Sequence, residues 1–216
     1  MSFQENKYQV IKQALSYELA NFIFNYFLLK REAVEWMYKN NITYDTGMWG
    51  TWTDQQIPNT YSIYGDQVMD TLLMKVLSRM EEETGLKLLP TYSYARLYKP
   101  GDILKRHKDR PSCEISTTIH LGGDKWPIFI DPTGSDNVID EAKNIHKPNA
   151  PKGNEVILDI GDMLVYSGCD LEHWREPFKG QICGQVFLHY NHKNGPFAET
   201  NKFDKRPVLG VPSLRG

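Results

Sequence analysis

The feature that most constrains the fold is a succession of short apolar runs, each closed by turn residues, from about Leu88 to Tyr190. Tyr92 to Tyr98 alternates in character and ends at Lys99-Pro100-Gly101, a turn signature. Cys113 to Leu121 is a second run, closed by Gly122-Gly123, and Trp126 to Ile130 is a third, closed by Asp131-Pro132. Glu155 to Tyr166 reads as two strands broken at Gly161-Asp162, and Gln181 to Tyr190 as a long last strand rich in Val, Phe, Leu and Tyr. Short strands at this spacing predict a sandwich or barrel. The stretch from Pro132 to Asn154, with three prolines and scattered charges, reads as an inserted loop.

The first third has a different period. Leu15, Leu19, Phe22, Tyr26 and Leu29 recur at three- and four-residue steps and predict one face of a long helix. A second helix is expected from about Asp66 to Glu83, with Met69, Leu72, Leu73, Val76, Leu77 and Met80 inward and Gly85 as its C-terminal cap. Thr43 to Tyr64 reads as irregular, and its Trp49, Trp52, Tyr61 and Tyr64 as a loop packed over the core rather than the lining of a cleft. The expectation is an α+β fold in one domain of 216 residues. Residues 1–87 would be mainly helical and packed on the core, 88–195 the strand-built core, and 196–216 a C-terminal extension.

Hydrophobic content of 40% and charged content of 24% are ordinary for a globular chain. A net charge of -2 gives no general electrostatic reason to bind nucleic acid or an anionic membrane, although Lys105, Arg106, Lys108 and Arg110 form a local basic cluster. Cys113, Cys169 and Cys183 form no spaced framework, which fits a reducing compartment. The polar N-terminus is unlike a signal peptide, and the apolar stretch from Phe22 to Leu29 is too short to span a bilayer. The expected location is cytoplasmic, with no membrane partner.

Within the strand-rich region lies His107-Lys108-Asp109, followed at a distance by His173 in Leu171-Glu172-His173-Trp174-Arg175-Glu176-Pro177. Two imidazoles and one carboxylate are the ligand set of a mononuclear non-haem Fe(II) site with open positions for substrate chemistry. Alternate residues of an extended segment project to one face, so His107 and Asp109 can grip one ion while His173 arrives from elsewhere. Alone, such a pair reads as surface decoration; the flanking strands give it weight.

Tyr94 to Asp102, His107-Lys108-Asp109, the Cys113–Leu121 run, Gly161 to Tyr166 and His173 to Pro177 together resemble the Fe(II)- and 2-oxoglutarate-dependent dioxygenases, most closely their prolyl 4-hydroxylase-like branch. The resemblance covers roughly Leu88 to Asn191, about half the chain. It implies a double-stranded β-helix, or jelly-roll, buttressed by the N-terminal helices. It also implies Fe(II) on His107, Asp109 and His173, 2-oxoglutarate as co-substrate, O2 as oxidant and ascorbate as a reductant. Asp109 favours hydroxylation, because family members with a small residue there can bind halide instead. The reaction implied is hydroxylation of a prolyl residue in a protein or peptide substrate, with release of succinate and CO2. A small-molecule or free amino acid substrate is the alternative, and a binding or sensing protein with a vestigial metal site is a third reading. Nucleobase demethylation is disfavoured, because the paired arginines that follow the third ligand in that branch are missing.

In the prolyl hydroxylase branch an Arg or Lys nine or ten residues after the distal His pairs with the far carboxylate of 2-oxoglutarate. Those positions are Ile182 and Cys183 here. A buried dicarboxylate needs a cation from elsewhere. Arg96 is the expected replacement, with Tyr98, His120 and Gln185 as further pocket residues. Lys105 and Arg175 are weaker candidates for that cation, and Lys105 and Lys108 read as solvated charges. Glu114 is expected to face the barrel beside Ser116 and Thr118 and to pair with Arg110 or Arg96. His146 reads as solvated, His189 as a hydrogen-bonded core histidine, and Trp174 as packing over the rim.

Overall fold

Helical signals in the first third and strand signals after it are both realised. The computed structural model describes residues 2–211. In chain order these form α1 (Phe3–Asn6), β1 (Tyr8–Ile11), α2 (Tyr17–Lys39), α3 (Thr46–Trp49), β2 (Tyr61–Tyr64), α4 (Gln67–Thr84), β3 (Leu88–Tyr98) and β4 (Leu104–His107). There follow β5 (Ile115–Gly123), β6 (Ile128–Ile130), β7 (Val138–Asp140), β8 (Ile145–His146), β9 (Asn154–Val156), β10 (Met163–Ser167), β11 (His173–Arg175), β12 (Cys183–His192) and α5 (Ala198–Asn201). One antiparallel sheet has the order β1-β10-β5-β12-β3-β2, and a second has the order β4-β11-β6-β9. The chain alternates between them: β3 and β5 lie in the larger sheet and β4 and β6 in the smaller, then β9 to β12 alternate again. The break expected at Gly161-Asp162 is one of these crossings; Gly161 has φ +88°, a backbone region that favours glycine.

The inner faces of the two sheets meet. Ile128, Ile130 and Val156 of the smaller sheet pack with Leu164 and Tyr166 of the larger, and Tyr98 packs with Leu104 and Trp126. On the outer face of the larger sheet, α2 and α4 share a core with Leu97, Ile119 and Val186. Helix α4 matches its expected bounds. Asp66 caps it by accepting from the amides of Val68 (2.9 Å) and Met69 (3.2 Å), and Gly85 ends it in the left-handed conformation.

The face of α2 differs from the expected one. Leu15 precedes the helix, and Phe22 and Leu29 point to solvent at 68% and 66% exposure. Ala20, Ile23, Phe24, Phe27 and Val34 are buried instead. Both stripes satisfy the helical period; the sheet decides between them. Gly122 and Gly184 lie opposite each other on β5 and β12, and the Phe24 ring occupies the slot they leave. A Cβ on either glycine would come within 2.5 Å of that ring.

Thr43 to Tyr64 also departs from expectation. It contains α3 and β2, and β2 forms the edge of the larger sheet beside β3. The loop between β6 and β9 carries the β7–β8 hairpin. Near the C-terminus, Arg206 bonds Asp70 at 2.8 Å and Asp204 bonds Arg110 at 2.8 Å, which ties this end to α4 and to the segment after Asp109. No helix among the described residues is long and apolar enough to cross a membrane.

Candidate metal centre

His107 is the last residue of β4 and His173 the first of β11, and the two are direct partners across the ladder. Their ring centroids lie 4.3 Å apart. Asp109 follows β4 by two residues and brings Oδ1 to 3.6 Å from His107 Nε2 and 3.5 Å from His173 Nε2. The three ligand atoms fall within 4.8 Å of one another, a separation that one ion can bridge. Both histidines are buried, at 7% and 2% exposure.

The imidazoles are oriented for this role. His107 Nδ1–H donates to the Lys105 carbonyl at 2.7 Å, and His173 Nδ1–H to the Leu171 carbonyl at 3.0 Å. Each Nε2 is thereby left with a lone pair on the side of Asp109, and that of His107 also meets the Gln56 amide at 3.3 Å. Burial alone would raise the Asp109 pKa, but the facing His173 and His107 hold it well below the usual carboxylate range. His107 is raised in turn, with Asp109 outweighing the effect of burial. Two lone pairs and a carboxylate crowded together form a cation site by donor set and geometry, and the residues fit a divalent metal of the imidazole- and carboxylate-binding kind.

A second set of contacts fixes Asp109. Its amide donates to the Gly168 carbonyl at 2.8 Å, and the Ser116 hydroxyl lies 3.0 Å from Oδ2. His189 Nδ1 lies 2.9 Å from the same hydroxyl. Burial pushes His189 down to about 4, which leaves a neutral ring beside the Ser116 hydroxyl, whose proton is shared between Asp109 Oδ2 and the Cys113 carbonyl at 2.9 Å. His189 is therefore the hydrogen-bonded core histidine expected, one contact removed from the metal ligands.

The centre opens into a cavity of about 320 Å³ whose wall includes Tyr98, Leu104, Ile128, Tyr166 and Phe187. Arg96 and Tyr98 lie on its β3 side, as their shared strand face predicts. Arg96 is 2% exposed and bonded to Asp54 at 2.8 Å, and its guanidinium lies over the Tyr94 ring, 5.0 Å from the centroid. Gln185 is the register partner of both Arg96 and His120. Its Oε1 accepts from Thr118 Oγ1 at 2.9 Å, and its amide nitrogen lies 3.1 Å from His120 Nδ1. Burial and the nearby Arg175 push His120 down to about 4, so it is neutral near pH 7. Cys183, where a cation is usual in the resembling branch, is the register partner of Tyr98.

Several expected roles change. Arg106 does not belong to an exposed basic cluster: it is buried, paired with Asp131 and Glu172, and packed against Trp174, 4.2 Å from the ring centroid. Lys108 and Arg110 are paired with Asp136 and Asp204. Glu114 pairs with neither Arg110 nor Arg96; it accepts from the His192 amide at 2.9 Å and from Asn191. Arg175, the weaker candidate for the co-substrate's cation, is 1% exposed. Trp174 stacks on Phe129, as packing predicts, and His146 is exposed.

Sequence reasoning missed Asp54 and Gln56. Both line the cavity, and the Gln56 amide lies 3.3 Å from His107 Nε2. Asp54 also accepts from the Tyr94 hydroxyl. Trp52 and Tyr61 of the same segment pack in the core, 4.9 Å apart between centroids. Gly168 was missed too: a Cβ there would lie 2.4 Å from Asp109 Oδ2.

No protein-family model and no curated protein matches the chain. Solved structures do. A Pseudomonas putida prolyl-4-hydroxylase is 14% identical with a TM-score of 0.59, the alignment covering 88% of this chain and 95% of that one. HygX from Streptomyces hygroscopicus, solved with nickel, 2-oxoglutarate and hygromycin B, is 13% identical with a TM-score of 0.62, covering 90% and 86%. An oxidoreductase of the 2OG-Fe(II) oxygenase family from Burkholderia pseudomallei is 13% identical with a TM-score of 0.56, covering 91% and 89%. The two crossing sheets with their outer helices thus have the fold of the 2-oxoglutarate- and Fe(II)-dependent oxygenases.

Proposed function

We propose that the protein is an Fe(II)- and 2-oxoglutarate-dependent oxygenase built on a double-stranded β-helix that spans the chain as one domain. The observation that carries this reading is the convergence of His107, Asp109 and His173, with both Nε2 lone pairs and one carboxylate oxygen turned to a single point. An intact donor set argues against a vestigial site. His107, Asp109 and His173 bind the ferrous ion, and the Lys105 and Leu171 carbonyls hold the two rings in register. Ser116 fixes one oxygen of Asp109 and leaves the other for the metal. When bound, the iron with its oxo acid and O2 supplies the oxidising chemistry that turns a C–H bond into C–OH while 2-oxoglutarate becomes succinate and CO2. Tyr98 offers its hydroxyl to the oxo acid; burial raises its pKa, so it stays protonated and donating. Tyr166, Leu104, Ile128 and Phe187 keep bulk water from the inner cavity.

The substrate reading is a prolyl residue in a protein or peptide, supported by the likeness to the Pseudomonas putida prolyl-4-hydroxylase. A small-molecule substrate is the second reading. It is favoured by the polar wall that Asp54, Gln56, Arg96, Lys108 and Glu141 give the cavity, and by the likeness to HygX. Purified protein with Fe(II) and 2-oxoglutarate is expected to release succinate, and His107→Ala or Asp109→Ala to abolish that release. Succinate formation indifferent to both substitutions would contradict the assignment.

A further inference from the structure

Four arginines are buried among the described residues: Arg96, Arg106, Arg175 and Arg206. Three of them face carboxylates. Arg96 meets Asp54, Arg106 meets Asp131 and Glu172, and Arg206 meets Asp70. Arg175 is the exception. At 1% exposure it has no carboxylate partner among the described residues; it lies over the Trp126 ring, 5.1 Å from the centroid, one terminal nitrogen donates to the Trp126 carbonyl, the other reaches Thr118 Oγ1 only at 3.4 Å, and Nε has no hydrogen-bond partner among the described residues. A guanidinium withdrawn from water without an anion is costly, and the cost falls when an anionic ligand arrives.

Arg175 lies just behind the cavity wall. It is two residues along β11 from His173, about 7 Å along the strand, and although the ladder with β4 shifts register between them, its partner Leu104 lines the cavity. A five-carbon 2-oxo diacid held at the metal by its oxo-acid head extends over that distance. A second unpartnered donor lies in the same region. Gln185 accepts from Thr118 through Oε1, so its amide nitrogen donates to His120 Nδ1, and the His120 proton sits on Nε2, which makes no hydrogen bond of normal geometry among the described residues. Thr118 thus links the two, touching Arg175 on one side and Gln185 on the other.

We propose that Arg175, rather than Arg96, is the cation that meets the distal carboxylate of the 2-oxo acid, with His120 as a neutral donor beside it. The assignment rests on the oxygenase reading above. It puts the charge on β11, next to the third metal ligand, instead of on the last strand, where Ile182 and Cys183 stand. Arg96, already neutralised by Asp54, is left to the substrate side of the cavity.

The test is anaerobic calorimetry on Mn(II)-loaded protein with two probes: 2-oxoglutarate, and pyruvate, which has the same oxo-acid head and no distal carboxylate. R175Q is expected to weaken 2-oxoglutarate about 100-fold and to leave pyruvate unchanged, while R96Q keeps 2-oxoglutarate within about threefold of wild type. Should R175Q fail to fold, R175K, which cannot present a two-pronged donor, is expected to weaken 2-oxoglutarate about tenfold with pyruvate unchanged. Wild-type 2-oxoglutarate affinity in whichever of these variants folds, or a loss confined to R96Q, overturns the assignment and leaves the oxygenase reading standing. Wild-type protein that holds Mn(II) but binds neither acid overturns both.

Discussion

The carboxylate of Asp109 is fixed from three sides: two histidine nitrogens at 3.5 and 3.6 Å, the Ser116 hydroxyl at 3.0 Å, and the backbone of Gly168 behind it. Gly168→Ala would bring a Cβ within 2.4 Å of Oδ2 and 2.3 Å of the Cys113 carbonyl, neither of which can yield without moving Asp109. Mn(II) affinity, read by electron paramagnetic resonance, is expected to fall roughly 10- to 100-fold while the fold persists; an unchanged affinity would show that Asp109 is not held this way. His120 gives a prediction in pH. Its folded value of about 4 lies below its ordinary value of 6.5, so the unfolded chain binds a proton that the folded chain refuses. Its contribution to stability is complete above pH 6.5 and is lost as pH falls towards 4, about 3 kcal/mol in all. Urea midpoints at pH 7 and pH 4.5 are expected to lie closer together in His120→Gln than in wild type. At this scale the sequence was legible where spacing carries the information. His107 and Asp109 are two residues apart at a strand end, and both are visible. Arg175 stands out only as a weaker candidate, because nothing in the run Trp174, Arg175 and Glu176 marks which of the side chains is turned inward. Asp54 and Gln56 sit in a segment with no period, so nothing local aims them at the cavity.

Among the elements, α2 shows how tertiary packing chooses between two faces that the helical period allows. The slot formed by Gly122 and Gly184 fixes the choice by admitting the Phe24 ring. Gly184→Ala is expected to cost about 1–3 kcal/mol by overpacking, and combining it with Phe24→Leu to recover part of that loss, as measured by denaturant unfolding; additive losses would contradict the slot. In the sequence Gly122-Gly123 reads as a turn that closes a strand, whereas both residues lie inside β5, and Gly184 carries no signal of its own within β12. Helix α4 was legible end to end, because its cap residues are local: Asp66 at the start and Gly85 at the finish. Asp66 also receives the Tyr26 hydroxyl at 2.7 Å and Lys30 at 2.5 Å, so Asp66→Ala removes the cap and leaves Lys30 without its partner. A loss of about 1–2 kcal/mol or more is expected, with the larger share if Lys30 cannot reach water. The four-residue strand β2 escaped notice because Tyr61–Tyr64 is nearly all buried and shows no alternation to read.

At the scale of the whole molecule, the crossing of the chain between two sheets brings β4 and β11 side by side although their sequences lie far apart, and the metal centre is a consequence of that pairing. The turn-punctuated runs made the sheet content readable, and the order of crossings followed from the family likeness rather than from any residue. The central claim is that His107, Asp109 and His173 together hold one divalent ion. Anaerobic titration of Fe(II) or Mn(II) into the metal-free protein tests it most directly: one ion per chain is expected in wild type, with binding lost in His173→Ala. Binding that survives that substitution undiminished, or its absence from the wild type, would contradict the account.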